Sequence, residues 1–446
     1  MTSTELSLDA ARLPPLAGRL EDLHGQALRA RVRRVMAARQ PQQRLAALQV
    51  MDEKIDQCLQ AASLYGATVA QYFAQQAQAP ASLPGQAEAA IFLQLALAVQ
   101  TEDAQLLPLL RQYLPQYPDS VLEALWFFPI PENLFDVRQA HLALLCQAAA
   151  QDEALWPLTL ELIGRCGYQA ARRQVEALLA VPRLAGAALL ALARLGVPLE
   201  IQGLAQQALS APAENNGWLD VLLHIISCQP RLASDALLQQ LQAHQPQRAA
   251  LAWAVLALRY PRHTLEQLRH HPASLSADDG WRVRGLCGHV DMILASLHQL
   301  LQSRQAPDAM ARDFLLLTLG ACPPEVTQTP FDASACARAL HALLLQVLRD
   351  NQLPLQPGAE YLQGAQAWDA ERLFAGPVQD IRLRYGQRLR SLPPLSPLLL
   401  QMTHGTRQWL YLERAELARH PFALQALDVF RRQQAALMIA EVSDAV

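Results

Sequence analysis

Four arginines close together near the C-terminal end of the sequence are the strongest candidates for a binding site. They are Arg382, Arg384, Arg388 and Arg390, and Trp409 follows them at a short distance along the chain. A guanidinium group presents a planar fork of donors that can hold a carboxylate or a phosphate through two hydrogen bonds. These five residues predict a binding patch for an acidic protein segment or a nucleic acid. A solvated helix face is the alternative explanation of the arginine run.

A second basic run lies near the N-terminal end. It consists of Arg29, Arg31, Arg33 and Arg34. The same two interpretations apply to it: a solvated face of a helix, or a patch that binds acidic protein or nucleic acid.

The densest aromatic cluster is Trp126, Phe127 and Phe128, directly before Pro129. Packing between helices explains the cluster. An exposed anchor for a partner is the alternative, since aromatic residues are favoured at the centre of protein interfaces.

Three short motifs contain histidine or paired acids. They are His270–His271, His289-x-Asp291 and Asp278–Asp279. Residues two apart do not face each other on a helix, so Asp291 is better explained as an acid in a first helical turn. The histidine pair beside Pro272 indicates a helix end, and the aspartate pair before Gly280 is typical of a loop. We predict no catalytic residue and no metal site from these motifs.

The sequence contains no phosphate-binding, dinucleotide-binding, nucleophile-elbow or zinc-protease motif. Its seven cysteines are widely spaced and include no CxxC pair, which is typical of reduced thiols rather than of zinc sites or disulfides. We therefore expect no cofactor and a non-enzymatic protein.

Composition narrows the possible partners. The chain has 446 residues, of which 52% are hydrophobic, and a formal net charge of −3. Lys54 is the only lysine, so 36 of the 37 basic residues are arginine. Such a charge balance does not favour a general nucleic-acid binder, although clustered arginines could still form a local patch. We find no signal peptide and no apolar run long enough for a membrane span, and we expect a cytoplasmic protein without membrane contact.

The elements that must position these residues are predicted to be helices. Leu, Ala, Gln, Arg and Glu dominate, and alternating strand patterns are absent. Breaks centred on Gly167, Gly196, Gln229, Tyr260, Gly288 and Cys322 follow one another at intervals of 29, 33, 31, 28 and 34 residues. A two-helix unit of about 30 residues cannot bury its own apolar face, so neighbouring units must stack.

The pattern predicts an all-α protein: an α-solenoid of degenerate HEAT-like helical repeats with helical N- and C-terminal caps. We assign residues 1–85 to an N-terminal helical region, 86–326 to the HEAT-like repeat array and 327–446 to a C-terminal helical cap. Residues 80–85 are predicted to form a loop. Within the cap, helices are predicted over 333–349, 397–412 and about 422–442.

Three segments together resemble a family of bacterial HEAT-like repeat proteins encoded in type VI secretion gene clusters. They are LAALQVMDEKIDQCLQAASLYG (45–66, with Asp52 and Glu53), the repeat run 164–209, and HGTRQWLYLERAEL (404–417), which a later Arg432–Gln433 follows. This chain departs from the family in its degenerate repeats and in middle units that lack a fixed Asp or Arg. The resemblance implies an accessory protein with no known catalytic residues, acting through protein contacts.

We therefore expect a non-catalytic protein-binding scaffold or adaptor, accessory to type VI secretion. Its partner would be another protein, such as a secretion-system component or an effector. The alternatives are a HEAT-like nucleic-acid-binding protein, which needs a basic concave face with aromatic side chains, and a HEAT-like enzyme such as a lyase, which needs a deep polar pocket. The sequence leaves the oligomeric state open.

Overall fold

The computed structural model of the chain is largely α-helical in the residues that it describes. Those residues are 16–38, 40, 45–81, 84–101, 103–126, 135–210, 217–244, 249–270, 275–302, 307–376, 381–389, and eight positions between 402 and 416. The all-α prediction is confirmed at this level, since twenty α-helices and one short hairpin dominate the described part. None of the helices within these ranges is long and apolar enough to cross a membrane.

The described chain forms two compact units that divide between Leu162 and Ile163. The helices of unit 1 are α1 (Leu16–Ala38), α2 (Leu45–Ser63), α3 (Ala67–Gln78), α4 (Gln86–Gln100), α5 (Leu106–Tyr113), α6 (Pro118–Trp126) and α7 (Phe135–Gln151). Helix α8 (Trp156–Cys166) crosses the division. The predicted organisation into 1–85, 86–326 and 327–446 stays a prediction.

Unit 2 continues the helical pattern. Its helices are α9 (Arg172–Leu178), α10 (Pro182–Arg194), α11 (Gln202–Ser210), α12 (Gly217–Cys228), α13 (Asp235–His244), α14 (Ala250–Arg259), α15 (Pro261–His270), α16 (Ala277–Cys287), α17 (Val290–Gln302), α18 (Ala309–Leu319), α19 (Ala333–Asp350) and α20 (Ala370–Leu373). Two short strands follow α20: β1 (Leu383–Arg384) and β2 (Gln387–Arg388).

Helix α2 shows how the sequence pattern becomes packing. Leu48, Ile55, Cys58 and Ala62 recur at steps of three, four and seven residues, and all four side chains are buried. Helix α1 packs along the same face of α2. Gly66, the third residue after α2, has φ 61° and is the N-cap of α3, so it lies between the two helices and is not a packing glycine inside one. Of the loop predicted at 80–85, residues 80, 81, 84 and 85 are described, and they lie outside helices between α3 and α4, as expected.

The predicted breaks coincide with the ends of helices α8, α10, α12, α14, α16 and α18. Gly196 shows the physical reason: its φ of 75° stops α10, and the next amide, Val197 N, donates to Leu192 O over 3.0 Å. This bond satisfies a carbonyl that the ended helix leaves without a partner. The last break was predicted at Cys322, but α18 ends three residues earlier, because Gly320 is left-handed with φ 75°.

Helices of unit 2 pack on their second neighbours as well as on their first. Helix α10 packs on α12, α14 on α16 and α16 on α18, while α11 packs on α13 and α17 on α19. Side chains at one break also bind the backbone of the preceding break. Gln229 Nε2, for example, donates to Ala193 O and Val197 O at 2.5 and 3.2 Å.

The first helix predicted for the C-terminal cap, at 333–349, agrees with α19 to within one residue. The region after α19 is more irregular than the repeats. Strands β1 and β2 pair antiparallel. The turn between them, Tyr385–Gly386, has φ values of 51° and 74°, as the common two-residue hairpin turn requires.

Eight described positions follow the hairpin. Thr406, Trp409, Leu410, Leu412, Glu413 and Glu416 are helical. This agrees with the later part of the helix predicted at 397–412. Residues 397–401 and the helix predicted at about 422–442 lie outside the described residues.

Candidate functional site

The predicted arginine and tryptophan set does not form a single exposed patch. Arg384 is buried, Arg382 and Trp409 are half-buried, and Arg388 is exposed on β2. Arg390 lies outside the described residues. Partner binding by this set stays a prediction, and among its described members Arg388 is the one whose side chain faces solvent.

Arg382 and Arg384 bind the C-terminal end of α16. Arg384 Nη1 donates to Gly285 O over 2.7 Å, and Arg382 Nε donates to Cys287 O over 2.8 Å. The carbonyl between them, Leu286 O, accepts from both guanidinium groups at 3.0 Å. A helix leaves its last carbonyls without helical partners, and a cation at this end also interacts favourably with the negative end of the helix dipole. These two arginines therefore complete a helix terminus.

The backbone of the hairpin supports the same contact. Leu383 N donates to Gly288 O over 2.8 Å, and Val290 N donates to Ile381 O over 3.0 Å. Gly288 has φ 59°, and a Cβ built on it would lie 2.6 Å from Leu383 O. Only glycine permits both the left-handed turn and this close approach.

Arg384 also forms an ion pair with the terminal part of the chain. Its Nη2 lies 2.5 Å from Glu413 Oε1, and the two side chains are 1% and 4% exposed. Arg384 thus connects the hairpin, the end of α16 and a residue that lies 29 positions further along the chain.

Asp313, on α18, forms a second charged contact with the terminal part. Its carboxylate accepts from Thr403 N at 3.0 Å, from Thr403 Oγ1 at 2.5 Å and from Thr406 Oγ1. Burial raises the pKa of the Asp313 carboxyl, while the bonds from the two threonines oppose that shift.

Arg259, at the end of α14, forms the third charged contact. Its Nε and Nη2 donate to the two carboxylate oxygens of Glu416 at 2.8 and 3.3 Å. Arg231 Nε adds a bond of 2.6 Å to the main-chain oxygen of Glu416. Burial lowers the pKa of Arg259, but its bonds to Glu416 and Asp235 outweigh that effect and leave the pKa raised.

Apolar contacts lie between these charged ones. Leu412 belongs to a buried cluster that includes Ile226, Leu258 and Leu286, and Trp409 packs against the same cluster. Trp409 also packs against a second cluster that contains Trp253 and Val283. Trp409 therefore acts in packing within this chain.

We call the eight described positions the terminal segment: Met402, Thr403, Thr406, Trp409, Leu410, Leu412, Glu413 and Glu416. We call the surface that contacts it the docking face. This face comprises Asp313 on α18, Arg384 beside the end of α16, Arg259 at the end of α14, Arg231 after α12, and the apolar side chains between them. The docking face thus holds a helical stretch of its own chain by one carboxylate, three guanidinium groups and an apolar stripe.

Sequence reasoning missed most of the charged groups in this site. Arg259, Asp313, Glu413 and Glu416 belong to no motif that predicts chemistry. A helical reading of the terminal segment could have found half of them, because positions 406, 409, 410, 413 and 416 recur at one-face spacing. Nothing local identifies Arg259 or Asp313, whose acceptor and donors lie 157 and 90 residues away.

The arginine run on α1 is divided between the surface and the interior of unit 1. Arg29 and Arg33 are exposed, whereas Arg31 and Arg34 are buried. Arg31 pairs with Glu123 on α6 and lies 3.9 Å above the ring of Phe92. Arg34 Nε donates to Asp52 Oδ1 over 3.0 Å. The run therefore contributes two buried ion pairs to unit 1.

The remaining chemical motifs are parts of helix ends. Asp291 lies in the first turn of α17, as predicted, and its amide donates to His289 Nδ1 over 3.2 Å. The loop predicted at Asp278–Asp279 is wrong, because α16 begins at Ala277. The hydroxyl of Ser276 caps this helix by accepting from Asp279 N over 3.1 Å. His270 is the last residue of α15, which agrees with the helix end predicted there, and His271 lies outside the described residues.

The side chains of Trp126 and of the two phenylalanines after it lie outside the described residues. In the described ranges, no three His, Cys, Asp or Glu side chains lie close enough to hold a metal ion.

Comparison of the chain with protein-family models, with curated proteins and with solved structures gave no match in any of the three.

Proposed function

We propose that this protein is a non-catalytic protein-binding scaffold or adaptor, whose repeat helices form a HEAT-like α-solenoid. The observation that carries the proposal is the docking face. A surface of α14, α16 and α18 binds a helical stretch through charged contacts at three points and an apolar stripe between them. A surface with this chemistry is suited to amphipathic helices of other proteins as well.

The solenoid part of the proposal is supported by helix packing in unit 2. Each break lies within three residues of the end of an even-numbered helix. Three pairs of successive even-numbered helices pack on each other (α10 on α12, α14 on α16 and α16 on α18), as do two odd-numbered pairs (α11 on α13 and α17 on α19). Such alternation is expected where two-helix units stack, because each unit buries its apolar face against the next. Solenoids use their long surfaces to bind other chains.

The cellular setting is proposed from the resemblance of the sequence alone. We infer an accessory role in type VI secretion, in the cytoplasm, with a secretion-system component or an effector as the partner. The segment 404–417, which contributes to the resemblance, contains Glu413 and Glu416 of the terminal segment.

Three arginines of unit 2 do not favour the nucleic-acid alternative, because their guanidinium groups bind acceptors of this chain. Arg259 and Arg384 donate to carboxylates and carbonyls of this chain, and Arg284 Nη1 donates to Gln299 Oε1 over 2.5 Å. A track that binds phosphates needs guanidinium groups that are free to reach the ligand.

The proposal is tested by affinity capture of the tagged full-length protein from its native cytoplasm, with nuclease treatment and mass spectrometry. We expect a stoichiometric protein partner that survives the nuclease. Recovery of nucleic acid without such a partner would overturn the proposal.

A charge-reversed pair of variants locates the surface. Arg388→Glu changes the exposed member of the predicted set, and Arg338→Glu makes the same change at an exposed position on α19. If Arg388 contributes to partner binding, R388E lowers the yield of partner several-fold and R338E leaves it unchanged. Equal yields from both variants would remove Arg388 from the binding surface.

A further inference from the structure

We propose that the docking face is an exchangeable site for one class of ligand, and that the terminal segment is its resident occupant. The ligand is an amphipathic helix of a partner protein, with hydroxyl side chains towards its N-terminal side, Trp and Leu in the middle and two carboxylates three residues apart. This inference rests on the proposed function and specifies the partner that the scaffold would take.

The spacing of the terminal segment defines the ligand. Thr406, Glu413 and Glu416 lie seven and three residues apart, so all three point from the same face of a helix. Ten residues of helix span about 15 Å, at 1.5 Å per residue. The three matching groups of the docking face are Asp313, Arg384 and Arg259, which come from three different parts of the fold. A single helix with this spacing therefore meets all three.

The docking face also selects the direction of the helix. Asp313 accepts the backbone N–H of Thr403 at the N-terminal side of the segment. Arg231 donates to the backbone carbonyl of Glu416 at the C-terminal side. The helix dipole is positive at the N-terminus and negative at the C-terminus. The anionic Asp313 at the first end and the cationic Arg231 at the other therefore favour one orientation of the bound helix. A helix that lies the other way round meets like charges at both sides.

The contacts are of a kind that permits exchange. A buried ion pair contributes little net stability, since desolvation of both charges offsets most of their attraction. The segment is held in addition by the apolar contacts of Trp409 and Leu412. Because the terminal segment is tethered, its effective concentration at the docking face is on the order of millimolar. A partner helix can displace it if its own concentration relative to its Kd is high enough to compete with that value.

The test uses the full-length chain and a fluorescent synthetic peptide that spans residues 400–418. In the chain, Glu413→Gln with Glu416→Gln weakens the resident segment and leaves the docking face intact. Glu360→Gln with Glu371→Gln makes the same chemical change at two exposed positions of unit 2 and is the matched control. Fluorescence anisotropy measures the affinity of the peptide for the wild-type chain and for both variants.

We expect the peptide to bind the E413Q/E416Q chain at least tenfold more tightly than it binds the wild-type or control chain. A peptide that itself carries E413Q/E416Q is expected to bind that same chain at least tenfold more weakly. Equal affinities for the three chains, or no binding of the peptide to any, would overturn the inference.

A second measurement does not depend on any variant that might fail to fold. Excess wild-type peptide added to the wild-type chain should accelerate hydrogen exchange at residues 402–416 of the chain. Unchanged exchange at saturating peptide would mean that the resident segment is not displaced, which contradicts the inference.

The two proposals can fail separately. A partner that is captured equally well by the wild-type and E413Q/E416Q chains, without peptide exchange, leaves the scaffold standing and removes this inference. If the peptide exchanges but no partner protein is captured, the scaffold proposal is contradicted, while the docking face is still shown to exchange its helix.

Discussion

Arg384 and Glu413 form an ion pair that is almost completely withdrawn from solvent, with Nη2 and Oε1 2.5 Å apart. Arg384 also donates to the carbonyls of Gly285 and Leu286 at the end of α16. One guanidinium group thus holds three separate parts of the chain together: β1, α16 and the terminal segment.

Replacing Arg384 should strongly destabilise the terminal segment. Arg384→Met leaves Glu413 buried without its counter-ion, and loss of one partner of a buried pair costs about 3–5 kcal/mol. Hydrogen exchange at residues 402–416 measures the loss as faster exchange. The double variant R384M/E413M should recover part of the lost stability, because no buried charge remains without a partner. It should not recover the stability that Arg384 contributes through its hydrogen bonds to the carbonyls of α16. Arg388→Met, at the exposed position on the same hairpin, should change stability by less than about 0.5 kcal/mol.

Gly288 should not tolerate a side chain. Its φ of 59° is left-handed, and a Cβ would lie 2.6 Å from Leu383 O, so Gly288→Ala must displace the hairpin. The left-handed backbone alone costs about 1–2 kcal/mol for a residue with a Cβ. Limited proteolysis within 381–389 should therefore be faster in G288A. Gly203→Ala, in the first turn of α11 with open space around its Cβ, is the control, and it should stabilise the protein by about 0.4–1 kcal/mol. Equal proteolysis of both variants would contradict the assigned role of Gly288.

His24 should make unit 1 sensitive to acid. Burial against Tyr72 and Phe73 disfavours the charged imidazole and lowers the pKa of His24 from 6.5 to about 4. Between these values the unfolded chain binds more protons than the folded chain does. The contribution of His24 to stability is therefore fully present above pH 6.5 and is lost as the pH falls towards 4. At 1.36 kcal/mol for each pKa unit, the loss amounts to roughly 3 kcal/mol.

The measurement for His24 is the pH dependence of hydrogen exchange in α1 and α3. His24→Phe keeps an aromatic ring at the same place and should flatten the dependence between pH 4 and pH 6.5. His263→Phe, at an exposed position on α15, should leave it unchanged. An H24F chain that keeps the wild-type acid sensitivity would assign that sensitivity to another group.

The pair formed by Arg31 and Glu123 should be important for the packing of unit 1. Arg31→Met leaves the Glu123 carboxylate buried without its partner and removes the cation–π contact with Phe92. We expect a loss of about 3–5 kcal/mol, seen as faster hydrogen exchange in α1 and α6. Arg31→Met combined with Glu123→Leu should restore most of the protection.

An exposed ion pair provides the comparison for Arg31. Arg172 and Glu176 are one helical turn apart on α9 and both are largely exposed. Arg172→Met should cost less than about 0.5 kcal/mol, because water screens such pairs. An R172M effect as large as that of R31M would argue against burial as the cause.

Much of the local structure could be predicted from the sequence. The breaks at Gly167, Gly196 and Gly288 follow from the left-handed conformation that glycine adopts at helix ends. The helix predicted at 333–349 matches α19 almost to the residue, because its apolar side chains recur at one-face spacing. Both inferences need only residues that are neighbours along the chain.

The roles of the arginines could not be predicted in the same way. Arg384 and Arg388 lie four residues apart in one basic run, yet one is buried in an ion pair and the other is exposed. On α1, Arg31 and Arg33 differ in the same manner. A run of like charges carries no information about which of its members meets a distant carbonyl or carboxylate.

The sequence by itself determined the helical class, the helix ends at the glycine breaks and the buried face of helices such as α2, because side-chain periodicity and glycine conformation act over a few residues. Tertiary structure alone decided that Arg384 meets the end of α16, 98 and 99 residues earlier, and that Arg259 meets Glu416, 157 residues later. The physical reason is that a buried charge is stable only beside its counter-ion and hydrogen-bond acceptors, and packing of distant helices places them there.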